Sequence, residues 1–360
     1  MNLLFYAPQM AAYGGIERHV CSLAAAAAAQ GHRVWLLTTS DSLGPDLRRG
    51  LDHPRISFRE LGRARGAAGP GAKILWLLRE VRRARGQPWD VIYTNGQSGL
   101  ALLVWLAAGP ATRIVHHHHT AADAAEQASW SRPYSHVLRR APRLVGCSQA
   151  TCAALNAATG RHDAHFLPYL TACPVDSGWI TQRTPGRPLR FGFCGRLIPE
   201  KGIDAILALA SLPALTDIEW HIHGAGAAYP PARFAGQPRL VYHGAYHSPA
   251  EQARVLLALD ALVLFSTHNE GMPLSLIEGM AAGLPWIATD RGGTRELAAS
   301  PADCLVVPAA ARPAGLAGHV RAFADRILGG TTSRRRQRAH YDATFAPRVV
   351  ADRWLGFFSS

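Results

Sequence analysis

Short apolar runs alternate with helix-length stretches through the first half of this 360-residue chain, and the same plan begins again in the second half. Asn2–Ala7, Arg33–Thr39, Val91–Thr94, Arg113–His117 and Leu144–Cys147 are expected strands, and the stretches 16–30, 74–85, 98–108 and 121–140 are expected helices. Strand and helix in strict alternation predict a parallel sheet covered on both faces. Ligands on such a sheet bind at the carboxyl ends of its strands.

Pro174–Pro188 is polar and carries prolines at both ends, the character of a linker. After it, Leu189–Cys194, Trp220–Gly224, Leu240–His243, Ala261–Phe265, Pro285–Ala288 and Leu305–Val307 are expected strands. The stretches 203–209, 249–257, 273–282 and 315–329 are expected helices between them. The expected architecture is α/β, two doubly wound Rossmann-like domains facing across a cleft. The first covers residues 1–173, the linker 174–188 and the second domain 189–345. Residues 346–360 form a final helix with Val349, Val350, Trp354 and Phe357 near one face, suited to packing back on the first domain.

At 48% hydrophobic residues the chain is far from the composition of a disordered protein, and its length exceeds what one core usually serves. The longest strongly apolar stretch, Gly99 to Gly109, has 11 residues, whereas a helical span needs roughly 20. Met1-Asn2 run straight into Leu3-Leu4-Phe5-Tyr6 with no basic region first, so the start is read as a buried strand. Six cysteines, with no C-x-x-C pair, fit a reducing cytoplasm better than a disulfide framework. The net charge of +13 is uneven, +9 in residues 1–172 and +4 in the remainder. An anionic membrane surface or an acidic substrate suits that balance. Nucleic acid is not expected, because no basic, aromatic-interleaved motif occurs. Ile74, Leu77, Leu78 and Val81 follow helical spacing beside Arg79, Arg82, Arg83 and Arg85, which fits a surface helix first and a peripheral membrane contact second. The Arg-rich run Ser333–Arg338 is expected to be a solvated helix face.

The most specific segment runs from Ser266 to Pro285, where Glu270 and Glu278 stand eight residues apart. Glu270 follows an apolar strand and precedes Gly271; Pro273 is expected in the first turn of a helix that carries Glu278. The backbone N–H groups of Gly271, Met272 and Leu274, with the positive end of the helix dipole, make a seat for a diphosphate. Earlier, Phe191–Gly202 is a strand, a glycine turn and two cations, Arg196 and Lys201, before a helix. Preorganised Arg and Lys donors stabilise the charge of a departing diphosphate. Gly14-Gly15 after the first strand resembles a phosphate-binding turn, although it lacks the G-x-G-x-x-G pattern. His116-His117-His118-His119 closes the fifth strand, and alternation lets at most two of the four point the same way, which argues against a metal site.

Taken in order, Gly14-Gly15, His119-Thr120, Gly195-Arg196 to Lys201-Gly202, Glu270 to Glu278 and Gly292-Gly293 resemble the landmarks of the family-4 retaining glycosyltransferases of the GT-B fold. The resemblance covers nearly the whole chain, and the carboxylate segment is its specific part. It implies that Arg196 and Lys201 hold the donor diphosphate, that Glu278 binds the nucleotide ribose, and that Glu270 touches the sugar hydroxyls. It places His119 near the anomeric carbon, with His117 as runner-up on the same face, and Gly15 near the donor phosphate or acceptor. It implies transfer from a nucleotide sugar to a saccharide or lipid-linked saccharide in lipopolysaccharide, capsule or exopolysaccharide biosynthesis, in the cytoplasm or on the inner face of its membrane. No cofactor and no metal are expected, and no D-x-D occurs in the chain. Pro168-Tyr169-Leu170 departs from the family's Pro-Asn-Gly.

A nucleotide-sugar epimerase or a phosphorylase on the same fold, and a non-catalytic sugar-nucleotide-binding subunit, are the alternatives. Intact Arg196, Lys201, Glu270 and Glu278 count against the last of these. A Rossmann dehydrogenase lacks its fingerprint here.

Overall fold

The apolar runs of the first half become strands of one parallel sheet. β1 (Asn2–Ala7), β2 (Arg33–Thr38), β3 (Ile56–Glu60), β4 (Val91–Asn95), β5 (Arg113–His118), β6 (Arg143–Gly146) and β7 (His165–Phe166) lie in the order β3-β2-β1-β4-β5-β6-β7. Between them run α1 (Gly15–Ala29), α2 (Pro45–Arg49), α3 (Pro70–Ala84), α4 (Ala101–Trp105), α5 (Ala124–Ser129), α6 (Arg132–Arg140) and α7 (Gln149–Thr159). The structure is a computed structural model, and it describes all residues except 12, 13, 40–42, 62–68, 182–184, 238 and 312. The second sheet has the order β10-β9-β8-β11-β12-β13. Its strands are β8 (Leu189–Cys194), β9 (Ile218–His223), β10 (Leu240–Gly244), β11 (Ala261–Leu264), β12 (Trp286–Thr289) and β13 (Cys304–Val307). Its helices are α8 (Ile203–Ala210), α9 (Pro249–Ala258), α10 (Leu274–Ala281), α11 (Pro313–Leu328) and α12 (Arg334–Thr344). A last helix, α13 (Pro347–Ser359), ends the chain.

Met1–Ala172 and Pro347–Ser360 form one unit and Cys173–Ala346 the other. Residues 174–188, expected as a separate linker, therefore belong to the second unit; Ser177–Trp179 is a single 3-10 turn within them. α13 belongs to the first unit, but with its face one residue off the expected register. Val350, Trp354 and Phe358, at i, i+4 and i+8, are fully buried, whereas Val349 and Phe357 are half-buried. They meet Leu3 and Phe5 of β1 and Val20, Leu23 and Ala27 of α1. The Trp354 indole donates to the Pro168 carbonyl at 2.8 Å. Each such aromatic side chain contributes about 2–3 kcal/mol by leaving water.

Three other expectations change. The helix expected over 121–140 is two, α5 and α6, because Pro133 cannot donate within a helix and Ser131 caps the second one through the Tyr134 N–H. β3 and β7 lie outside the expected strand set; β3 alternates half-buried and exposed residues, and β7 has two residues. The Arg-rich run is no solvated face. Arg336 pairs with the fully buried Asp303 (2.7 Å to Oδ1), Arg338 donates to the carbonyls of Val175 (2.9 Å) and Ala281 (2.8 Å), and Arg334 donates to Leu259. Only Arg335 of that run matches the expectation by being exposed without a further contact among the described residues.

Candidate active site

In each unit the strand order reverses beside the first strand, at β1/β4 and at β8/β11, and the crevice at the carboxyl ends there is where a doubly wound sheet receives ligands. In the second unit the loops leaving β8, β11 and β12 are fastened to one another through backbone. Gly202 has φ +75° and lies so close to Phe265 that a Cβ would stand 2.0 Å from its carbonyl oxygen. Gly292, at φ +54°, approaches Glu270 as closely: a Cβ would stand 2.1 Å from the Glu270 carbonyl oxygen. Only glycine satisfies both demands. The Gly293 N–H donates to that same carbonyl at 2.9 Å, and the Thr267 N–H donates to the Glu200 carbonyl at 2.8 Å.

Fastened loops fix the side chains they carry. Lys201 Nζ donates to Glu270 Oε1 at 2.7 Å and to Oε2 at 2.8 Å. Ser266 Oγ donates to Oε1 as well, and His268 Nε2 lies 3.8 Å from it while His268 Nδ1 contacts the Glu200 carbonyl at 3.0 Å. Glu270 is thereby buried yet neutralised by a single cation. Arg196, on the same loop as Lys201, is exposed, and its side chain makes no hydrogen bond or ion pair among the described residues. Glu278 is buried in the second turn of α10. Burial, and then the Glu278 carboxylate, push the nearby Cys194 thiol up.

The start of α10 differs by one residue from the expectation. Pro273 is the N-cap, not part of the first turn, and no side chain caps the helix. Leu274 and Ser275 therefore supply its first N–H groups, which have no acceptor within a helix. Gly271 and Met272 precede the helix, Met272 being buried. Ser266, His268 and Ser275 were within the segment singled out by sequence, but only the folded loop shows which carboxylate oxygen or helix end each one meets.

In the first unit the β1–α1 turn is closed by its own chain. Gly14 is the N-cap and Gly15 the first residue of α1, and the Glu17 carboxylate folds back over them. Its Oε1 accepts from the Ala11 N–H at 3.0 Å, and a Cβ at Gly14 would stand 2.0 Å from its Oε2. An acidic side chain at the positive end of a helix is favourable. Gly14, next to Gly15, thus faces a carboxylate at the place where the sequence suggests a phosphate.

The histidine run alternates as a strand must. His116 and His118 share one face: His116 Nδ1 is 3.0 Å from Thr94 Oγ1, and His118 contacts the Tyr134 hydroxyl at 2.6 Å and Glu126 Oε1 at 3.0 Å. His117 and His119 share the other, with ring centroids 3.9 Å apart. His117 Nδ1 is bound to the Tyr93 hydroxyl at 2.9 Å, whereas both ring nitrogens of His119 lack a partner among the described residues. His19, from α1, joins this face at 5.1 Å from His117 and 5.9 Å from His119; its Nδ1 accepts from the Leu170 N–H at 2.9 Å, and its Nε2 has no partner among the described residues. Burial holds His117 and His119 well below the usual histidine range, with neighbouring imidazoles adding to it, and lowers His19 to about 3. All three rings are neutral at pH 7. Tyr169 stacks on His119 at 5.5 Å and 9°, and its hydroxyl donates to the His119 carbonyl. His19 and Tyr169 carry no sequence signal of their own; one lies in an amphipathic helix and the other replaces a turn residue.

The two fully parallel sheets with this strand order are those of the GT-B fold class, with the Lys201–Glu270 pair at the switch point of the second sheet. A family model described as Glycosyltransferase Family 4 matches residues 13–168, and one described as Glycosyl transferases group 1 matches residues 188–326. The chain belongs to the family-4 glycosyltransferases. It is 30% identical over 191 residues to a GDP-mannose-dependent alpha-mannosyltransferase of Mycobacterium tuberculosis (strain CDC 1551 / Oshkosh), a match covering 51% of this chain and 48% of that protein. The chain thus spans about half the length of that relative. Among solved structures it is similar to Anabaena Alr3699/HepE in complex with UDP-glucose (TM-score 0.76, 18% identity, 100% of this chain and 99% of that one). It is also similar to the lipopolysaccharide outer core galactosyltransferase WaaB in its apo form (TM-score 0.73, 16% identity, 100% and 99%). No helix among the described residues is long and apolar enough to cross a membrane.

Proposed function

We propose that this protein is a retaining glycosyltransferase that moves a sugar from a nucleotide-sugar donor to a saccharide or lipid-linked saccharide, without a metal at the diphosphate. The observation that carries the reading is the Lys201–Glu270 pair at the switch point of the second sheet, with exposed Arg196 on the same loop. Lys201 and Arg196 take the diphosphate, the N–H groups at Leu274 and Ser275 add to it, and Glu278 takes the ribose. Gly271 and Met272 line the approach, and Gly15 belongs to the phosphate or acceptor side. Glu270 orients the sugar hydroxyls. The new bond forms between an acceptor oxygen and the anomeric carbon while the bond from that carbon to the diphosphate oxygen breaks. The departing oxygen receives the acceptor's proton on the same face, so configuration is kept and no protein nucleophile is needed. His119, neutral and with both nitrogens unpartnered, serves the anomeric centre as a polar, uncharged neighbour.

The relative named for GDP-mannose and the neighbour solved with UDP-glucose support a nucleotide-sugar donor, and the galactosyltransferase neighbour supports an envelope saccharide as acceptor. Exposed Leu75 (70%) and Ile74 beside Arg79, Arg82 and Arg83 on α3 support contact with an anionic membrane in the cytoplasm. The test is a binding screen of UDP-, GDP- and other nucleotide sugars, followed by transfer to a lipid-linked saccharide and assignment of the product's anomeric configuration. Retention with one donor is expected. Inversion, sugar phosphate released on adding phosphate, or donor epimerised without acceptor would each replace the reading.

A further inference from the structure

The second unit holds a cluster of imidazoles that the transfer chemistry does not use. His221 and His223 lie two apart on β9 and so share a face, and His243 faces them from the edge strand β10. The three rings are stacked nearly parallel, His223 to His243 at 4.2 Å and 7°, and His221 to His243 at 5.2 Å and 10°. His221 Nδ1 is 2.9 Å from His243 Nε2, and one nitrogen from each of the three rings falls within 4.8 Å of the others. Ligand nitrogens of a tetrahedral zinc lie about 3.3 Å apart, given Zn–N near 2.0–2.1 Å, so small side-chain rotations close the set. His221 Nε2 is bound to Glu219 Oε2 at 2.9 Å. A carboxylate on one ring nitrogen fixes the N–H there and leaves the other nitrogen's lone pair bare, the arrangement that orients metal-bound histidines.

Burial and the neighbouring rings lower His223 to about 3 and lower His243 as well, so these two are uncharged at neutral pH. The cluster opens on a cavity of about 340 Å³ under α9, lined also by Arg190, Glu251 and Arg254. The side chain of Arg190 donates to the Ala258 carbonyl (3.5 Å), and Glu251, which accepts from the His247 N–H at 2.8 Å, brings a carboxylate to the same wall.

We propose that His221, His223 and His243 form a binding site for zinc or another imidazole-preferring dication, with water in the fourth position and Glu219 as the positioning residue. Three imidazoles suit zinc, cobalt, nickel and copper. The ion ties the edge strand β10 to β9.

The test uses the full chain without a histidine tag, stripped with chelator and titrated with Co2+ by visible absorption, then with Zn2+ in competition. One equivalent bound with tetrahedral Co2+ bands, and a thermal midpoint raised by Zn2+ and returned by chelator, are expected. H243A, on the exposed edge, and H221A each lower affinity at least about tenfold, E219Q lowers it about tenfold, and the surface variant H162Q leaves it unchanged. No uptake of sub-millimolar Co2+ by the wild type, or uptake that survives H221A/H243A, overturns the proposal.

Discussion

The switch point of the second sheet and the buried histidine face of β5 present opposite electrostatics. At β8/β11 formal charges meet, Lys201 on Glu270, with Arg196 on the same loop as Lys201. On the β5 side of the first sheet, His19, His117 and His119 are packed against Trp354 and Tyr169 and hold no charge at all. One region offers charge that a ligand must exchange; the other offers polar atoms stripped of water. The same sheet order therefore supports two ways of meeting a polar substrate, and each fails differently when altered.

The largest expected effect comes from removing the charges. Lys201→Ala and Glu270→Ala each lower kcat about 100- to 1000-fold, since one preorganised electrostatic partner is worth about 2.7–4 kcal/mol. Steady-state rates with far-UV circular dichroism as a folding control measure it, and near-normal turnover in either variant dissolves the contrast. Next comes the fastening of the loops. Gly292→Ala puts a Cβ against the Glu270 carbonyl at a left-handed backbone angle, a strain of about 1–3 kcal/mol. Donor affinity, read by calorimetry, should fall about tenfold or more while the first unit's stability is unchanged.

Acid sharpens the comparison from the other side. His19 and His116 are lowered from 6.5 to about 3, so the unfolded chain binds their protons first as pH falls. The stability they support is complete above pH 6.5 and is lost between there and about pH 3, at about 1.4 kcal/mol per pH unit per histidine. Urea midpoints should drop from pH 7 to pH 5, and His116→Phe should flatten that drop. Transfer rate should show no inflection from His119 near the usual histidine range, because burial holds it well below that range. The smallest effect concerns the surface: Arg79, Arg82 and Arg83 replaced together by glutamine should weaken sedimentation with anionic liposomes, by about 1 kcal/mol per residue at most.

Sequence carried the architecture well where strands are buried on both faces, because β1, β4, β8 and β12 are near-continuous apolar runs. It carried the edges poorly. β3 has mixed exposure, and α6 starts afresh after α5 at a Ser131 cap with Pro133 in its first turn, a start that is legible only once the cap is recognised. For the site, Lys201 and Glu270 were each visible in their motifs, but their pairing spans 69 positions and follows only from the order of β8 and β11. The arginines of α12 illustrate the reverse error. A run of four cations looks solvated until the buried Asp303 is seen to hold Arg336 and the carbonyls of Val175 and Ala281 to hold Arg338. The His-x-His on β9 went unremarked in the sequence, because its third member comes only from β10 lying alongside.

On the proposed reading, a cation stored on a carboxylate makes donor binding a test of two things at once. A diphosphate that draws Lys201 away would leave Glu270, buried at 6% exposure, with the Ser266 hydroxyl still donating but without its cation, and the donor's sugar hydroxyls would replace what is lost. The spent nucleotide would satisfy the lysine but not the carboxylate. Donor and product, which share the diphosphate, would then be told apart by the half of the pair that does not touch it, and the departure of the product would be assisted by Lys201 returning to its original counter-ion.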